Sequence, residues 1–174
     1  MPLTATRTED DPFYDELTIC TSDPDGRVEV SGGKVPTVII TRSPDAAVNR
    51  FVPIGSREAG ELTMTVDGST AELRPGKGKW TRRSYRVDVS VAGTKYRFKP
   101  NSIATSQLIR AGKKIFEPSM DDEHGDFLVQ WLVSRADTEP ADAAIGYALA
   151  VAFRTGAANL VSALINGAEM TLPD

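Results

Sequence analysis

One cysteine and one histidine stand among 174 residues. A single Cys20 excludes an intramolecular disulfide, so a packed core has to supply the stability. It lies in Leu17-Thr18-Ile19-Cys20-Thr21, a strand-like run with no basic or histidine neighbour in sequence to activate a thiol. It reads as a small buried hydrophobe. A single His124 leaves nucleophilic catalysis without a choice of base, and nothing beside it resembles a nucleophile elbow. Aromatic residues make up only 7% of the chain. No dinucleotide fingerprint, zincin pair or paired-cysteine metal motif occurs. Long apolar runs are missing too: Ala143 to Phe153 is uncharged, but Arg154 ends it well short of the ~20 residues a membrane helix needs. The first twelve residues carry no apolar, signal-like core. The expectation is a cytoplasmic, non-transmembrane protein.

Apolar content of 40% with 25% charge is that of a globular chain, and the length suits one domain. Residues 1–12, with Glu9, Asp10 and Asp11, read as a loose acidic arm ahead of a single globular domain over 13–174. Within that domain, 13–136 read as β-rich and 138–167 as C-terminal helices. Strands are expected over Phe13 to Thr21, Val28 to Ser31 and Val35 to Thr41, with Asp23-Pro24-Asp25-Gly26 as a turn. Ser43-Pro44-Asp45-Ala46 has the chemistry of a helix start.

Two hairpins can be registered residue by residue. Asp67-Gly68 is a type I′ pair; centring a turn there sets Val66 opposite Ser69, Met64 opposite Ala71, Leu62 opposite Leu73 and Glu61 opposite Arg74. Centring the next turn on Ala92-Gly93 sets Val89 opposite Tyr96 and Val87 opposite Phe98 on one face. The other face then carries Asp88 opposite Arg97, Ser90 opposite Lys95 and Arg86 opposite Lys99. A slip of one residue would turn Tyr96 and Phe98 to water, so the register is strongly specified. A third hairpin is expected over Ser102 to Glu117 around Arg110-Ala111-Gly112-Lys113. Phe127 to Ser134 reads as another strand. Thr138-Glu139-Pro140 starts a helix that is apolar on nearly all sides and has to be enclosed. Thr155-Gly156 interrupts it, and Ala157 to Asn166 resumes as a second helix capped by Gly167.

The net charge of −4 is unevenly spread. Arg74 to Lys114 holds 12 Lys/Arg and one acid, Asp88, while the rest holds 8 Lys/Arg and 23 Asp/Glu. Such asymmetry points to an anionic partner, although cations on the outer face of a sheet also serve solvation and edge protection. The candidate surface is Lys77, Lys79, Arg82, Arg86, Lys95, Arg97 and Lys99. An acidic protein, a phospholipid headgroup or a nucleic acid would each meet its charge; for the last, Trp80 is the one aromatic free to stack.

The run Asp121-Asp122-Glu123-His124-Gly125-Asp126 has ligand types suited to a transition metal, but lacks the spacing of an EF-hand. A polar loop between two strands is the expected reading of Asp121, Asp122, Glu123, His124 and Asp126, and no metal is expected there. Pro75-Gly76-Lys77-Gly78-Lys79 lacks phosphate-loop spacing. No cofactor is expected.

Successive hairpins, then a strand and an enclosed C-terminal helix, form an order that resembles the tubby / LURP-one-related / scramblase-type barrel. Tyr96-Arg97-Phe98-Lys99-Pro100, the hairpin around Gly112 and Ala143 to Phe153 carry the likeness, over about Phe13 to Gly167. Arg154, Gly156 and the second helix depart from it. The resemblance implies an antiparallel barrel wrapped on a hydrophobic helix, binding anionic phospholipid or protein partners through basic strands. The expected fold is therefore β-rich α+β: a barrel or strongly curved sheet of hairpins, filled or closed by C-terminal helices. The expected function is a non-catalytic binding or adaptor domain. Alternatives are a small-molecule-binding barrel with a cavity beside Ala143 to Phe153, an enzyme using the 121–126 loop, and a homo-oligomer.

Overall fold

A computed structural model describes residues 4–23, 25–79, 81–120 and 127–156. Eleven strands follow one another in sequence order, each antiparallel to the next, as a nearly closed barrel. They are β1 (Thr4–Asp11), β2 (Asp15–Ser22), β3 (Arg27–Gly32), β4 (Val35–Arg42), β5 (Leu62–Val66), β6 (Ser69–Pro75), β7 (Val87–Val91), β8 (Thr94–Pro100), β9 (Ser106–Arg110), β10 (Lys113–Met120) and β11 (Phe127–Trp131). One helix, α1 (Pro140–Phe153), packs against β3 and β4 on one side and β9 and β10 on the other. The barrel expected from the hairpin pattern is the one observed, and α1 fills it.

Period-two alternation builds the wall. In β2, Leu17 and Ile19 are buried while Thr18 and Cys20 are only partly so. Cys20 is thus half-exposed on the outer side, with its Sγ 3.6 Å from Thr6 Oγ1, and not the core residue expected. Three tight turns, Asp67-Gly68, Ala92-Gly93 and Ala111-Gly112, have positive φ at both positions, the type I′ geometry whose twist matches its flanking strands. The third hairpin carries a register shift between Lys114 and Phe116. β6 changes partner along its length: Ser69 to Ala71 pair with β5, and Glu72 to Pro75 with β7.

Several sequence expectations fail, each for a physical reason. Residues 4–11 are no loose arm: β1 pairs with β2 from Thr4↔Ser22 to Asp11↔Asp15. As a strand at the end of the ladder with exposed threonines, it lacks the apolar alternation that announces a half-buried strand. Ser43-Pro44-Asp45-Ala46 forms a turn closed by Ala46 N–H to Ser43 O at 3.1 Å, with no helix behind it. Glu61 does not face Arg74: it lies in a 3₁₀ turn and accepts from Ser56 Oγ, while Arg74 pairs with Glu72. Leu62 pairs with Arg42, not Leu73, because β6 has already turned to β7. The N-cap of α1 is Glu139, one residue later than expected, in a reciprocal capping box with Asp142. Thr138 instead holds Tyr14 Oη at 2.7 Å. The expected second helix over 157–166 lies outside the described residues.

The helix is buried almost throughout: Ala143 to Ala150 are at most 1% exposed. Burying side chains such as Ile145, Leu149 and Phe153 contributes about 1.5–3 kcal/mol each. Two carboxylates tie helix to wall. Asp142, fully buried, accepts from Tyr96 Oη at 3.0 Å, Arg110 Nη1 at 2.5 Å and the Glu139 N–H at 2.8 Å. Asp11 accepts from Tyr147 Oη at 3.0 Å, Trp131 Nε1 at 3.2 Å and the backbone N–H groups of Phe13 and Tyr14. Burial, followed by the Asp142 and Asp11 carboxylates, pushes the Tyr96 and Tyr147 hydroxyls well above the ordinary tyrosine pKa. Both therefore stay protonated donors.

Gly146 marks the closest approach of helix to wall. A Cβ there would stand 2.7 Å from two ring carbons of Phe116, which is itself fully buried. Gly146→Val is expected to lower stability by about 1–3 kcal/mol in urea denaturation. Adding Phe116→Leu should recover part of that loss; independent, additive effects would show that the two positions do not meet.

Candidate functional site

The structure divides the residues singled out by charge between a hairpin and the loop and turn before it. The ladder of the basic hairpin is the expected one: Val87↔Phe98, Asp88↔Arg97, Val89↔Tyr96 and Ser90↔Lys95. Val87, Val89, Tyr96 and Phe98 are at most 3% exposed, so pleating sends the apolar set inward and Lys95 and Arg97 outward. The hairpin begins at Val87, however. Arg86 is the C-cap of a 3₁₀ turn over Arg82–Tyr85 and never comes opposite Lys99. Lys77 and Lys79 sit exposed in the loop before that turn, and Arg82 lies within the turn. Trp80 lies outside the described residues, as do Asp121, Asp122, Glu123, His124 and Asp126. Among the described residues, no cluster of three or more potential metal ligands occurs.

A groove of about 700 Å³ opens on the outer face of β6 to β9. Lys95, Arg97 and Lys99 of β8 line it with Arg74 of β6. Interleaved with them are Glu72 and Asp88, leaving a surplus of two positive charges. Ile109 supplies apolar lining. Its position follows from register: Ile109 pairs with Arg97, so both side chains leave the sheet on the same side. Arg74 enters the same face by pairing with Asp88 across β6 and β7. The sequence reading missed Arg74, Glu72 and Ile109. No local signal exposes them, because the β6–β7 and β8–β9 pairings join separate hairpins.

The cations fall into two sets. Arg97 grips Asp88 with two bonds, Nε to Oδ1 at 2.7 Å and Nη2 to Oδ2 at 3.3 Å, and Arg86 Nε adds a third at 3.4 Å. Arg74 pairs with Glu72. Lys95 and Lys99 have no carboxylate within ion-pair distance among the described residues. Arg110, which counted toward the basic stretch in sequence, is partly buried and pairs with Asp142 at the start of the helix. Among the described residues, the groove's cations without an ion-pair partner are thus the two lysines.

Arg57 is a second cation with a structural place. The Arg57 guanidinium lies 5.1 Å from the Tyr85 ring and 5.3 Å from the Phe153 ring, with Nη1 donating to Gly76 O at 3.1 Å. Burial lowers its pKa to about 10, so it remains charged at neutral pH. It pins the Gly76–Gly78 loop against the C-terminal end of α1, where a cation suits the helix dipole.

No protein-family model, no curated protein and no solved structure matches this chain. No described helix is long and apolar enough to cross a membrane.

Asp88 is the titratable centre of the groove. Burial works to raise its pKa, but the bonds and charges of Arg97 and then Arg86 outweigh that and hold it below the ordinary carboxylate value. A carboxylate with a depressed folded pKa stabilises the fold above its unfolded pKa, and that contribution is lost as pH falls through the folded one. Carboxyl NMR titration is expected to find Asp88 ionised below the usual aspartate range. Arg97→Gln should move its midpoint upward; an unmoved midpoint would show that the pair does not form in solution.

Proposed function

We propose that this protein is a non-catalytic binding module that docks an acidic polypeptide segment in the groove of β6 to β9. The observation that carries the reading is the pair Lys95 and Lys99, unmatched by carboxylates among the described residues, in a groove that otherwise neutralises its own charges. Two unpaired lysines beside an apolar Ile109 suit a chain bearing carboxylates and an apolar side chain. Glu72 and Asp88, interleaved with the cations, disfavour the uniform anionic surface of a lipid bilayer. A nucleic acid would need stacking platforms, and Tyr96 and Phe98 turn their rings inward. The likeness to a tubby-type barrel supports the reading at the level of architecture alone, a β-barrel around an apolar helix.

The alternative of a small-molecule-binding barrel would need an apolar cavity beside α1, whose residues are buried against the wall. The alternative of a metal-assisted enzyme rests on residues 121–126, outside those described.

The double variant Lys95→Glu, Lys99→Glu tests the assignment. Arg97 and Arg86 are left in place because reversing either would crowd acids around Asp88. Against a fluorescent glutamate-rich peptide carrying one leucine, binding by the native protein is expected to weaken between about 0.05 and 0.3 M salt. The double variant should lose about tenfold or more in affinity with unchanged thermal unfolding. Equal affinity in the variant, or binding indifferent to salt, would overturn the groove as a docking site.

A further inference from the structure

The barrel has a seam, and its parity is odd. Eleven strands that alternate in direction leave β1 and β11 running the same way. Side chains confirm the alignment: Arg7 Cζ stands 4.4 Å over the Phe127 ring, and Trp131 Nε1 reaches Asp11 at 3.2 Å. The two contacts are spaced four residues apart on both strands, in the same order. Yet among the described residues β1 and β11 share no backbone ladder. The barrel is held shut there by side chains: these two contacts, the stack of Phe13 on Trp131 at 5.1 Å, and Arg135 Nε donating to Phe13 O at 3.0 Å.

We infer that this seam accepts one extended peptide strand from a partner protein, antiparallel to both β1 and β11, which completes the alternation. Among the described residues, no strand pairs with the outer edge of β11. Leu132 N–H donates to Ile115 O of β10 at 2.9 Å, so by alternation Phe127, Val129 and Trp131 direct their backbone groups away from β10, toward the seam. A single strand between parallel neighbours can satisfy both edges with antiparallel ladders, the more stable pairing.

The side chains state what kind of peptide fits. Leu128 and Leu132 on the outer face of β11 are 71% and 37% exposed, unusual for a strand of a closed barrel. Between them in level, Asp10 of β1 is exposed and has no ion-pair partner among the described residues. Inward, Arg7, Glu9, Asp11, Phe127 and Trp131 already fill the space beneath. These side chains leave little room beneath the seam for a bulky apolar group. The occupant is therefore small or polar at inward positions and apolar at outward ones, with a lysine or arginine at the outward position beside Asp10. This site lies on a different part of the wall from the lysine groove, and neither reading depends on the other.

The probe is a set of short synthetic peptides with alternating valine and serine, carrying lysine or glutamate at the central outward position. Hydrogen exchange on the full chain is expected to show Val129 and Trp131 amides slowed by the lysine peptide. A peptide N-methylated along one edge should give no protection. Asp10→Lys should reverse the preference to the glutamate peptide, by about tenfold in affinity. Asp10 is exposed, so its replacement leaves the fold intact; Leu128→Glu, equally exposed, should weaken both peptides. Absence of protection by every peptide overturns the proposal. So does full protection without peptide, which would place another part of the same chain in the seam. Protection that rises with protein concentration alone would mean self-association and overturns it too.

Discussion

A fourteen-residue helix that is apolar on every side can be stable in water only if something surrounds it. That requirement organises this protein. A helix with one apolar stripe can lie on a sheet, but α1 buries Ala143 through Ala150 without a polar face, so the sheet has to curl around it. The curl in turn needs the strong twist that three type I′ turns impose, and a strand, β6, that changes partners midway. Closeness of fit then falls on one residue. Gly146 lets the Phe116 ring rest on the helix, and that ring also meets Tyr147 at 5.4 Å and Trp131 at 4.9 Å. A single aromatic cluster thus links the helix, β10 and the seam.

Buried polar groups orient what apolar packing alone would leave free to rotate. An all-apolar helix has no preferred azimuth inside an all-apolar wall. Asp142 and Tyr147 supply one, because each must meet its partner: Asp142 must meet Arg110 and Tyr96, and Tyr147 must meet Asp11. A buried carboxylate without those donors would cost several kcal/mol, so rotated arrangements are strongly disfavoured. Asp11 does more than orient the helix. It also holds Trp131, and through it the last strand, against the first. The acid that looked in sequence like part of a solvated arm is a junction of the fold.

What could be read in the sequence was what local geometry decides. The period-two alternation of Val87-Asp88-Val89 and Tyr96-Arg97-Phe98, with a glycine-containing turn between them, fixes a register that no distant contact has to arbitrate. The enclosed character of α1 was equally plain from Ala, Ile, Leu and Phe on all sides. What escaped were features set by pairing across hairpins. β1 is polar on both faces because it ends the ladder; its threonines and acids read as coil. Arg74 joins the groove only through β7, and Arg110 leaves the basic set only because α1 brings Asp142 to it. A charge count along the chain could not separate the paired arginines from the lysines: Glu72 and Asp88 lie close in sequence to the arginines they bind, but Asp142, which takes Arg110, is far along the chain.

The two surfaces differ in how firmly the chain holds them. The groove of β6 to β9 is cut into continuous antiparallel ladder, where each strand is bonded on both sides. Its lysines are displayed by a rigid wall, so a ligand there meets a preformed surface and loses little to rearrangement. Among the described residues the seam has no such ladder; its strands are joined by an arginine over a ring, a tryptophan on a carboxylate and one stacked aromatic pair. Those contacts are each worth about 1 kcal/mol, against a row of backbone bonds elsewhere in the barrel. Opening there costs less than at any ladder. Yet the odd strand count means that closing it from within would require β1 and β11 to pair in parallel, with slanted bonds unlike every other pair in the sheet. Among the described residues, the joint with the fewest backbone bonds is therefore also the one that a single added strand improves most.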